Sequence, residues 1–158
     1  MLRALLWVLA VAVVAAGPVP ARAADGAVVF TQNCLMCHQA GGVGLAGQFP
    51  RLAGRIAAIS SQPKGRAYLI DVLTYGMTGT ITVDDQSIVG LMPPFAQLSN
   101  DDVAVVLSYV QSLGPPPAGA PAAFTAEEVR AGRMANAVKT ATDVRAERQS
   151  LADAKIIP

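Results

Sequence analysis

The sequence predicts an all-α fold with one small β-hairpin and a C-terminal helical extension. Three observations carry this. Apolar residues recur at helical spacing at Tyr68, Leu69, Val72 and Leu73, and again at Val103, Val106, Leu107 and Val110, with Tyr109 beside them. Two short β-prone runs, Ile81-Thr82-Val83 and Ser87-Ile88-Val89, flank Asp84-Asp85-Gln86 and read as a hairpin. Glycine and proline punctuate the intervals between these segments.

The elements follow in order. Met1, Leu2 and Arg3 make a short positive start, and Ala4 to Ala16 is an unbroken apolar run of thirteen residues. Gly17, Pro18 and Pro20 break it, and Ala21-Arg22-Ala23 offers the small residues that a signal peptidase reads. Residues 1–23 are therefore expected to be a secretory signal peptide. The apolar run is short of the ~20 residues that span a bilayer, so no stable membrane insertion is expected after cleavage.

Residues 24–114 are expected to form the core domain. Asp25 to about Asn33 reads as a first helix. Gln39 to Gly54 holds five glycines and reads as loop. Pro63 suits the first turn of a helix that Gly76 stops. Ser99 with Asp102 resembles a capping box for the last core helix, which Gly114 and Pro115-Pro116-Pro117 end. Residues 115–158 read as a Pro-rich linker and a helical extension. Thr125-Ala126-Glu127-Glu128 caps a helix to about Val138, and 141–154 carries only a weak stripe. Partial packing of the extension on the core is expected.

Composition excludes some partners. Without residues 1–23 the chain has ten basic and eleven acidic side chains, a net charge of −1. So balanced a chain offers no global field for nucleic acid.

The chemistry sits in Cys34-Leu35-Met36-Cys37-His38, where C-x-x-C-H is the haem c attachment signature. Two thiols add across two vinyl groups on one porphyrin edge. Two intervening residues let one turn of chain present both sulfurs, and the following histidine then reaches the iron. A thioredoxin-like C-x-x-C expects a βαβ pattern around it, and none is visible. Zinc needs about four ligands, and His38 is the only histidine. One covalent haem c is the expected cofactor, held by Cys34, Cys37 and His38.

With no second histidine, methionine is the candidate for the other axial position. Met36 lies inside the attachment turn. Met92 precedes Pro93-Pro94, which restricts its backbone, and is the favoured ligand beside His38. Met77, between Gly76 and Gly79, and Met134, on a helix of the extension, are the alternatives, with an open iron as the third. A His/Met pair raises the potential relative to bis-His and closes both faces.

These residues resemble a class I c-type cytochrome over about Asp25 to Gly114. The resemblance implies a cytochrome c fold, with three to four core helices around the haem. Pro50-Arg51-Leu52-Ala53-Gly54 is similar to the family's P-x-L-x-G stretch, which implies that the Pro50 carbonyl orients His38. Phe49 stands where the family has a glycine. Gly90 to Phe95 resembles the methionine loop, with Met92 at the ligand position. Gly26 and Phe30, with Val106 and Tyr109, resemble the crossing of first and last helices. Thr80 to Val89 looks like a feature of bacterial cytochromes that work with periplasmic dehydrogenases or terminal reductases.

The expected function is a periplasmic one-electron carrier, not an enzyme, whose partners are redox proteins such as a periplasmic dehydrogenase, oxidase or reductase. The alternative is a fixed cytochrome subunit of such a complex, attached through the extension. An enzyme or gas sensor with an open haem face would require that Met92 is not on the iron.

Overall fold

The computed structural model describes residues 25–115, 119–135 and 138–158. The signal-peptide expectation for 1–23 lies outside the described residues. Among them no helix is long and apolar enough to cross a membrane.

The fold is mostly helical, with one two-stranded antiparallel sheet. Helix α1 (Gly26–Asn33) starts at Asp25, whose side chain accepts from the Ala27 N–H at 2.9 Å. It crosses α5 (Asn100–Ser112), which is opened by a complete capping box between Ser99 and Asp102. The crossing is close because Gly26 has no side chain: a Cβ there would stand 2.2 Å from the Val105 carbonyl oxygen. Phe30 and Tyr109 fill the space beyond, their ring centroids 5.4 Å apart and tilted by 54°.

Between these helices run α2 (Leu35–His38), a 3₁₀ turn at Ala40–Gly42, α3 (Arg55–Ser60) and α4 (Pro63–Tyr75). Pro63 occupies the first turn of α4, where its missing N–H costs nothing. Helix α3 has no counterpart in the sequence reading: six residues are too few for a periodic stripe to stand out.

The hairpin is longer than the β-prone runs suggest. Strands β1 (Met77–Val83) and β2 (Gln86–Met92) pair along their whole length. Their turn is Asp84-Asp85 alone, both at positive φ (51° and 61°), while Gln86 already pairs with Val83. That is the two-residue geometry whose twist matches paired strands, and aspartate tolerates it.

The extension forms α6 (Ala126–Ala135) and α7 (Ala141–Asp153), both seated on the core. Helix α7 has its own capping box, Thr140 with Asp143. Val129 and Val144 are fully buried, and Phe124, Leu151 and Ile157 join the same cluster as Phe30, Ile70 and Val103. Polar clasps hold the extension down. The Arg66 guanidinium lies 3.8 Å over the Phe124 ring and pairs with Glu128 at 2.6 Å. The Lys139 ammonium reaches Asp71 and Glu147, each at 2.6 Å.

Candidate functional site: an apolar cleft with a thiol pair and a histidine

Helix α1 leads without a loop into α2. The Cys34 N–H still bonds the Phe30 carbonyl at 2.8 Å, and the His38 N–H bonds the Cys34 carbonyl at 2.9 Å. Cys34, Cys37 and His38 are thus i, i+3 and i+4 on helical backbone, the spacing that gathers side chains on one face. Both cysteines are free and partly buried. Burial, then the neighbouring Cys37, pushes the Cys34 thiol up to about 11. A redox-active C-x-x-C works with a thiol lowered towards or below neutrality, so this environment fits a thiol that is consumed in a permanent bond.

His38 is buried, and its Nδ1 stands 3.0 Å from the Pro50 carbonyl oxygen. A carbonyl only accepts, so Nδ1 carries the proton and Nε2 keeps its lone pair. Burial holds this imidazole below the usual histidine range, with the Pro50 bond pulling weakly the other way, so the ring is neutral at pH 7. Phe49 does not disturb this contact: it bridges to Leu45 and leaves the Pro50 carbonyl aimed at the ring.

These groups open onto a cleft. An outer cavity of about 240 Å³ runs into an inner one of about 100 Å³, and Cys34, His38, Pro50, Met77, Ile81 and Met92 line both. The inner face of the hairpin supplies the far wall. There Met77 stands directly across the ladder from Met92. The sequence reading treats Met77 as loosely held between glycines, and the structure corrects this: it opens a strand, and its sulfur accepts from the Tyr68 hydroxyl at 3.6 Å. Met92 closes the partner strand, with the two prolines just beyond. Met134 is three-quarters exposed on α6 and lines neither cavity.

The cleft fits a haem. Its walls are apolar, it holds two free thiols on one turn, and a neutral imidazole nitrogen and two thioethers line it. Gly90 faces the outer cavity with open space where a Cβ would stand, room that a flat ring can use.

Sequence reasoning missed several cleft residues. The pairing of Met77 with Met92 was readable by counting outward from the Asp84-Asp85 turn. Tyr68, Arg55 and Arg148 line the inner cavity, and no local motif marks them.

The comparisons agree with this geometry. The family described as cytochrome c oxidase, cbb3-type, subunit III matches residues 21–110. Cytochrome c-552 of Thermus thermophilus is 41% identical over 136 residues, covering 81% of this chain and 97% of that protein. A second cytochrome c-552, from another strain of Thermus thermophilus, is 40% identical over 136 residues, covering 81% of this chain and 86% of that protein. The cbb3-type cytochrome c oxidase subunit FixP of Azorhizobium caulinodans is 35% identical over 121 residues, which is 71% of this chain but 36% of FixP.

Proposed function

Because this chain belongs to the class I c-type cytochromes and is a haem c electron carrier, we propose that it works in the periplasm with His38 and Met92 as axial ligands. Bound haem supplies a one-electron Fe(III)/Fe(II) couple. The observation that carries the assignment is the cleft itself, with the His38 ring on one wall and the Met92 strand end on the other.

Each residue has a role in this reading. Cys34 and Cys37 tether the porphyrin through thioether bonds. The Pro50 carbonyl fixes the His38 tautomer and plane. Met77 is occupied by the Tyr68 hydroxyl, which favours Met92 as the sulfur donor. Ile81 and Ile88 keep water from the ring. Two protein ligands leave no position for substrate, so the protein transfers electrons and does not catalyse a reaction by itself. Its partners are redox proteins, a dehydrogenase on one side and an oxidase or reductase on the other.

The test is the visible spectrum of the exported, purified protein, oxidised and reduced, with carbon monoxide added to the reduced form. A far-red methionine–iron band and indifference to carbon monoxide are expected. Ready carbon monoxide binding without that band overturns the His38/Met92 assignment. The family match and the FixP similarity support a second reading, a fixed subunit of an oxidase complex. Salt-stable co-purification with a larger subunit favours that reading, and a monomeric elution profile favours the free carrier.

A further inference from the structure

Two guanidinium groups stand in the wall of the inner cavity, and nothing in the carrier reading uses them. Arg55 on α3 and Arg148 on α7 are 6% and 8% exposed. They share this wall with Tyr68 and Arg51. Burial works against the Arg55 charge first, and the like charge of Arg148 works against it second. Two buried cations so close are costly unless an anion accompanies them.

The protein's own anion does not suffice. Asp84 is half-exposed; it bonds Arg51 through two hydrogen bonds of 2.9 Å and stands 3.5 Å from Arg55. The Arg55 Nη2 donates to the Pro158 carbonyl oxygen at 2.6 Å, and the Arg148 Nη2 donates to the Thr82 carbonyl oxygen at 2.9 Å. Each guanidinium has five N–H donors in a planar fork that suits a carboxylate, so both keep donors to spare.

The same cavity reaches from Cys34 and His38 to Arg55 and Arg148. Haem presents its two carboxylates away from the vinyl groups that cysteines take. We propose that Arg55 and Arg148 receive the haem carboxylates, so that the C-terminal extension, through α7, completes the cofactor site. This rests on haem attachment at Cys34 to His38. It gives the extension a task that its packing alone does not explain. The Thr140 cap, Val144, Leu151 and the Lys139 clasp place Arg148 with little freedom. A guanidinium beside each carboxylate also favours the reduced iron, which carries one positive charge fewer, and so raises the potential.

The test compares wild-type holoprotein with R148K and R148L. Resonance Raman reads the haem-carboxylate bending band, and redox titration reads the midpoint potential against pH. In R148L the bending band moves, the midpoint falls, and the inflection set by the haem carboxylates moves to higher pH. R148K, a point charge in place of a fork, moves the band and recovers most of the potential. If R148L does not accumulate as holoprotein, R148K alone decides by the band. A wild-type band and a wild-type pH profile in the variant, with only a lower Tm, overturn the proposal and leave Arg148 as a brace to Thr82. The far-red band of the wild type tests the His38/Met92 assignment separately, so the two readings fail independently.

Discussion

The Met92 carbonyl oxygen lies against the α-carbon of Gly76: a Cβ at Gly76 would stand 2.5 Å from it and 2.9 Å from the Pro94 nitrogen. Gly76 also ends α4 at φ 72°, ψ −172°, a conformation that glycine alone adopts easily. One turn of chain away, the Phe95 N–H bonds the Leu73 carbonyl at 2.7 Å. The end of α4 and the exit of β2 are therefore one clamp, and the height of the Met92 sulfur depends on a missing side chain. G76A is expected to displace Met92, weaken the far-red band and admit carbon monoxide, at a stability cost of about 1–3 kcal/mol. Ferric spectra and a carbon monoxide titration check this, and an unmoved band would separate Gly76 from the ligand.

Met77 and Met92 share one rung of the ladder, which makes their exchange a sharp comparison. M77L keeps volume and removes only the sulfur that the Tyr68 hydroxyl meets, so a loss below about 1.5 kcal/mol and an unchanged far-red band are expected. M92A is expected to lose the band and open the iron to carbon monoxide. The reverse pattern in the two spectra would make Met77 the ligand.

How far the sequence reveals this molecule depends on the range of each interaction. The attachment turn, the Asp25, Ser99 and Thr125 caps and the Gly76 stop are local signals, and each stands in the structure at its expected place. The α1–α5 crossing was legible through Gly26 and Phe30 because a close approach demands a glycine. Six-residue α3 and the reach of Arg55 and Arg148 were not legible. Arg148 meets Thr82 sixty-six positions away, and no periodicity encodes such a contact. Helix α7 looked weak because its apolar stripe is thin, while Thr140 and Asp143 carried its start.

Lys139 ties the extension to the core through a nearly buried acid. The Asp71 side chain is 1% exposed, and Lys139 bridges it to Glu147 of α7. Burial opposes the Lys139 charge, but its bonds to Asp71 and Glu147 outweigh that and raise its pKa above the usual lysine value. A raised folded value means that the contribution is complete below the unfolded pKa of about 10.4 and disappears as pH rises through the folded one. K139M removes a cation from a buried acid and is expected to cost roughly 3 kcal/mol, measured by denaturant unfolding of the holoprotein. It should also loosen α7 selectively in hydrogen exchange. Uniform exchange across α5 and α7 would show that the extension does not open as a unit.

Asp84 gives the acid side a separate signature. Its carboxyl is held below the usual range first by the Arg51 hydrogen bond, against a small burial effect, and then by the charges of Arg51 and Arg55. A depressed folded value means that the contribution is present above the unfolded pKa of about 3.9 and is lost as pH falls through the folded one. Nearly half of the Asp84 side chain is exposed, so solvent screens the pair and the stability at stake is under about 1 kcal/mol. D84N should therefore flatten the acid limb of a Tm-against-pH curve below about pH 4 and change little near neutrality. Asp84 also sits at positive φ in the hairpin turn, where asparagine is tolerated at least as well, so the variant isolates charge from turn geometry. An acid limb as steep in D84N as in the wild type would assign the pH dependence to other carboxylates.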